Sequence, residues 1–174
     1  MSPETARSLV AHLSSRLNIY ANQTLEHIAW DVEATPSSGW LDPWLVRIAV
    51  LVGDIDRIQY ASGRIEPAPD GDSYIGDLFV FTPSSVVEAH FTASAERTLL
   101  PRGPVTAHPR AAVTSLEVGG VSKLTDTSGS DWPKHLSVKV KFESGAEVEL
   151  PRAPKSASPT DQELAAFLPN LLLS

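Results

Sequence analysis

Apolar residues near the start of the chain recur mostly at three- and four-residue steps: Ala6, Leu9, Val10, Leu13, Leu17, Tyr20, Ala21, Leu25 and Ile28. That spacing predicts one helix carrying a single apolar stripe along about eight turns. Ser2 offers an N-cap oxygen, Pro3 occupies a first-turn position that needs no amide hydrogen, and Glu4 favours the positive helix end. A stripe this long has to be covered, either by the chain's own sheet or by a second copy of the chain. Thr35-Pro36-Ser37-Ser38-Gly39 then breaks the pattern. In the next stretch, Asp42 and Pro43 match an N-cap and a first-turn proline and favour a helix with Trp44, Leu45, Ile48, Ala49 and Val52 inward. The β-branched Val46, Ile48, Val50 and Val52 leave a buried strand open over 43–52.

From about residue 55 the period changes to two. Ile55, Arg57 and Gln59 alternate with Asp56, Ile58 and Tyr60; Gly63 and the run Pro67 to Asp72 punctuate. Leu78 to Thr82 reads as a strand and Pro83-Ser84 as a turn. Val87, Ala89, Phe91 and Ala93 then alternate with Glu88, His90 and Thr92, which predicts one buried and one wet face. Residues 94–111 read as a loop rich in proline and arginine, and Ala112 to Val118 as a further strand. Leu136, Val138, Val140 and Phe142 run into the tight turn Ser144-Gly145 and on to Ala146–Leu150, a hairpin. At the end, Thr160-Asp161-Gln162-Glu163 forms a capping box ahead of Leu164, Phe167, Leu168, Leu171 and Leu172, with Pro169 expected to kink or shorten that helix.

An order of antiparallel strands closed by one amphipathic C-terminal helix resembles the bacterial pleckstrin-homology-like domains. The residues that carry the likeness are Gly76-Asp77-Leu78-Phe79-Val80-Phe81-Thr82 with Val86 to Phe91, the hairpin Leu136 to Leu150, and Glu163-Leu164-Ala165-Ala166-Phe167-Leu168. The resemblance covers roughly residues 55–172. It implies an α+β fold: an antiparallel β-barrel or roll with a C-terminal capping helix, preceded by an N-terminal helical extension. It divides the chain into residues 1–54 and 55–174, and implies a module that docks proteins, peptides or lipid headgroups without catalysis of its own. The lipid-binding branch of that family holds phosphates with basic residues around the first hairpin. Here Arg57 and Arg64 stand against Glu66, Asp70, Asp72 and Asp77, so the local field is negative.

Charge sharpens the picture. The chain has 174 residues and a net charge of −7. Residues 1–96 carry 5 basic and 13 acidic side chains, whereas residues 97–155 carry 9 basic and 6 acidic. An acidic total opposes general binding of nucleic acid. The basic stretch, with Arg97, Arg102, His108 and Arg110, is a candidate surface for an anion or lipid headgroup. The absence of cysteine excludes disulfides, thiolate metal sites and cysteine nucleophiles, and fits a cytoplasmic protein. The start of the chain has no basic-then-apolar leader, and the apolar run Trp44 to Gly53 is too short to span a membrane.

Chemistry-bearing motifs are sparse. Asp70-Gly71-Asp72 suggests calcium, but Tyr74, Ile75 and Phe81 occupy the fifth, sixth and twelfth loop positions, where an EF-hand needs an oxygen ligand, glycine and glutamate. No histidine pair has helical zinc spacing, and no Gly-x-Ser-x-Gly elbow or phosphate-binding glycine loop occurs. Asp54 and Asp56 read as a surface pair. Glu88 and His90 share a strand face, where a carboxylate can raise the basicity of an imidazole. With Asp77 they are the candidates for a site assembled from distant residues. Trp30, Trp40 and Trp44 cluster in the first quarter and mark either packing or an interaction site. The expectation is a non-catalytic binding or scaffold module, without cofactor, that docks a protein partner or self-associates through its first helix.

Overall fold

The computed structural model describes residues 1–19, 41–70, 72–94, 101–121, 135–152 and 158–171. Trp30, Trp40, Arg97 and Trp132 lie outside them. Helix α1 spans Pro3–Ser15, and the Ser2 hydroxyl accepts the Thr5 amide at 3.1 Å, as its capping role requires. The helix ends well short of the predicted eight turns. At Arg16 the chain leaves the helix, and Leu17–Ile19 forms strand β1 instead. The Gly63 amide donates to the Arg16 carbonyl at 3.1 Å, so the edge of a sheet captures this backbone. Leu17 stays buried all the same. A leucine four residues after Leu13 reaches the core from either conformation, which is why periodicity alone extends the helix.

Helix α2 spans Asp42–Val52, resolving the choice between helix and strand. Its N-cap is Leu41, with Asp42 and Pro43 inside the first turn. Asp54 then accepts the Asp56 amide at 3.2 Å and starts a single 3₁₀ turn, Ile55–Arg57, where alternation predicts a strand. Strands β2 (Tyr60–Pro67), β3 (Ser73–Phe81), β4 (Ser85–Ser94) and β5 (Val105–Pro109) follow as an antiparallel meander. Strand β1 joins its edge in parallel, pairing Leu17 with Gly63. Gly63 is needed there, because a Cβ would lie 2.8 Å from the Leu17 side chain and 2.5 Å from the Asp77 carbonyl. A second antiparallel sheet holds β6 (Val113–Gly120), β7 (Ser137–Phe142) and β8 (Glu147–Leu150). Helix α3 spans Ser158–Leu171 with Pro169 inside it. The Thr160 side chain of the expected capping box lies outside the described residues.

The strands do not close into a barrel, contrary to the expected roll. Two features prevent closure. Strand β1 occupies the free edge of β2 that a closing strand would need. A 3₁₀ turn at Arg110–Ala112 carries the chain away from β5, and β6 pairs with β7. The basic loop is also not all loop, since β5 runs through it. The architecture is therefore α+β with two stacked sheets.

Period-two alternation sends the first sheet's side chains to two cores. One face packs Leu78, Val80, Val87, Ala89 and Phe91 against Leu9, Leu13, Trp44 and Ile48 of α1 and α2. The other face packs Tyr60, Phe79, Phe81 and Val86 against the second sheet and Leu164 and Phe167 of α3. Trp44 is fully buried; its ring meets Phe91 edge-on at 4.8 Å and its indole N–H donates to the His90 carbonyl at 3.1 Å. It is a packing residue rather than a surface contact, because its one polar atom is satisfied inside. Trp44→Ala should destabilise the fold by about 3–5 kcal/mol, read from the urea midpoint. A loss below about 1 kcal/mol would mean that α2 is not anchored through this ring.

Candidate functional site

The polar face of the first sheet gathers most of the residues that the sequence marks for chemistry. Cross-strand register makes Arg64, Asp77 and His90 consecutive neighbours on β2, β3 and β4. Two residues along β4, Glu88 points the same way. The second sheet and α3 cover the Phe79–Phe81 end of this face. The remainder forms a depression of about 220 Å³ lined by Arg64, Glu66, Ile75, Asp77, His90 and Thr92.

Each carboxylate on this face is already held. Asp77, whose side chain is 10 % exposed, accepts both arms of Arg152: Nε to Oδ1 at 2.7 Å and a terminal nitrogen to Oδ2 at 2.5 Å. Arg64 adds a third donor at 3.1 Å and also meets Glu66 at 3.3 Å. Planar two-point pairing of this kind is the strong form of the arginine–carboxylate bond. Arg152 is further fixed by its backbone amide, which donates to the Ser62 hydroxyl at 2.8 Å, and by the Phe79 ring 5.9 Å beneath its guanidinium. Glu88 lies between two imidazoles, with Oε1 2.7 Å from His90 Nε2 and Oε2 3.3 Å from His108 Nε2. His90 stands edge-on to Phe79 at 6.0 Å, and His108 is 6.2 Å from Phe142 of the second sheet. A general base needs a lone pair free for its substrate. Asp77 takes three guanidinium contacts, whereas Glu88 meets one imidazole nitrogen at each oxygen and keeps acceptor positions beyond these.

The four described residues proposed for partner or anion binding do not converge. Trp44 is in the core. Arg102 is exposed and bridges to Thr92 through its backbone. His108 faces Glu88. Arg110 is only 3 % exposed and lies against the Phe81 and Phe167 rings at 5.7 and 5.0 Å. Arg152, Ser62 and Gln59 escaped the sequence reading. Their roles rest on long-range register, which no local spacing encodes. Among the described residues no cluster of metal-ligating side chains occurs, and no helix is long and apolar enough to cross a membrane.

A second polar group links α1 to α3, where Arg16 pairs with Glu163 beside His12. Burial, and then the Arg16 charge, hold the His12 pKa below the ordinary 6.5, while Glu163 pulls the other way. No family model, curated protein or solved structure matches the chain.

Arg152→Met should destabilise by about 2 kcal/mol, less than the roughly 3–5 kcal/mol for breaking a fully buried pair, because Arg64 still holds Asp77. A double-mutant cycle with Asp77→Ala should give a coupling above about 1 kcal/mol, and a coupling near zero would reduce the pair to surface decoration. His12 takes up a proton more readily in the unfolded chain than in the folded one. Its contribution to stability is therefore complete above about pH 6.5 and declines as pH falls below it. His12→Gln should flatten the slope of unfolding free energy between about pH 7 and about pH 5, checked by denaturant titration across that range.

Proposed function

We propose that the protein is a non-catalytic binding module that docks a second copy of itself through the outer face of α2. The observation that carries this reading is that α2 is apolar on both sides. Its inner face buries Trp44, Leu45, Ile48, Ala49 and Val52. Its outer face leaves Val46, Val50 and Leu51 exposed at 41, 63 and 42 %. Asp42 and Arg47 are its only charged residues, and Arg47 is turned aside to the Gly103 carbonyl at 3.2 Å. A surface helix normally carries polar groups on its outer side, and one that is apolar all round is normally covered.

A second copy suits this face for a geometric reason. Val46 and Val50 stand four residues apart and form a ridge, and two such ridges interdigitate when identical helices meet about a two-fold axis. The ridge is short, so the association is weak and concentration-dependent. The seam expected from the sequence lay on the first helix; its Leu9, Val10 and Leu13 are covered by this chain's own residues, and its Tyr20, Ala21, Leu25 and Ile28 lie outside the described residues. The resemblance to bacterial pleckstrin-homology-like domains supports a docking role through the order of antiparallel strands followed by one helix. A catalytic reading through Asp77, Glu88 and His90 is the weaker one, since Asp77 is held by Arg152 and Arg64.

Light scattering on the full chain should show a mass that rises toward twice the monomer with concentration. Val50→Asp should remain monomeric at every concentration with an unchanged melting temperature. A full-length protein that is monomeric throughout would remove self-docking. Deleting α1 is not a usable test, because it strips core residues.

A further inference from the structure

A cavity of about 330 Å³ lies between the end of α1, residues 55–61 and α3. That volume is at the small end of the range for ligand sites, about 300–1,000 Å³. Ile58 and Phe167 supply apolar wall; His12, Arg16, Gln59 and Glu163 supply polar wall. Arg16 and Glu163 neutralise each other. The sign of the field is therefore set by what stands behind the wall.

Behind it stands Arg110. Its guanidinium donates to Gln59 Oε1 at 3.2 Å, to the Thr82 carbonyl at 2.8 Å and to the Asn170 carbonyl at 3.1 Å. All three acceptors are neutral. Among the described residues its Nε has no hydrogen-bond partner, and no carboxylate pairs with it. Asn170 belongs to the last turn of α3, whose negative end offsets only part of a unit charge. Buried cations ordinarily carry a counter-ion. Gln59 and Asn170, which hold this one, also line the cavity. Because Gln59 turns its oxygen to the guanidinium, its amide N–H₂ is left as a donor on the other side. The wall therefore offers a spare amide donor, an apolar floor and a positive field.

We propose that this cavity binds a small organic carboxylate with an apolar tail, its carboxylate held at the Gln59 amide in the field of Arg110 and its tail against Ile58 and Phe167. The site is separate from the α2 face and does not depend on self-docking. Three probes of equal chain length resolve the chemistry: octanoate, octanol and octylammonium, titrated calorimetrically into the full chain. Octanoate should bind at least tenfold more tightly than octanol, and octylammonium should not bind. Gln59→Glu supplies Arg110 with a carboxylate of the protein's own. That variant should lose octanoate affinity at least tenfold while its ligand-free melting temperature holds or rises, which separates lost binding from lost folding. Equal affinity for octanoate and octanol, preference for octylammonium, absence of octanoate binding at millimolar concentration, or undiminished octanoate binding by Gln59→Glu would each overturn the assignment.

Discussion

Strand β3 is buried on both sides, and the rest of the molecule is arranged around that requirement. Leu78 and Val80 need one apolar partner layer, Phe79 and Phe81 another, and all four are covered. A strand of this kind is more typical of a sheet packed between two layers than of one facing water. Helices α1 and α2 supply the first layer. The second sheet and α3 supply the other. The parallel addition of β1 seals the near edge, so the sheet gains cover without curling shut.

The second layer is shorter than the sheet beneath it, and the uncovered part is where ionic chemistry concentrates. A one-residue slip between strands would send Arg64, or Glu88 with His90, to the opposite face from Asp77. The observed register makes them neighbours. Arg152 arrives from just beyond β8 and clamps Asp77, so the ionic strip also ties the second sheet to the first. The carboxylate with three guanidinium contacts joins the two sheets, and the carboxylate between two imidazoles joins β4 to β5. The surfaces proposed for recognition lie elsewhere, on α2 and between α1 and α3.

The strands with clean alternation were legible from residue order. Val87, Ala89, Phe91 and Ala93 point into one core, and the hairpin from Leu136 to Leu150 forms with its turn at Ser144-Gly145. The cap of α1 and the existence of α3 were equally plain. Short edge strands were not legible. Three residues in β1 and five in β5 are too few for a period to emerge, and Leu17 fits a helix as well as a strand. Residues 55–57 alternate correctly yet form a turn, because the Asp54 side chain captures a nearby amide first. At the candidate site, the pairing of Glu88 with His90 follows from their spacing of two. Asp77 beside His90, Arg152 on Asp77 and Arg110 beneath α3 depend on tertiary register alone.

The clamp on Asp77 has a bearing on how the chain is made. The carboxylate leaves the ribosome 75 residues ahead of Arg152, while Arg64 precedes it by only 13. Domains generally fold as units during synthesis, so the full clamp forms only once residue 152 is available. Any chain shorter than 152 residues would therefore leave Asp77 with Arg64 as its remaining guanidinium contact among the described residues.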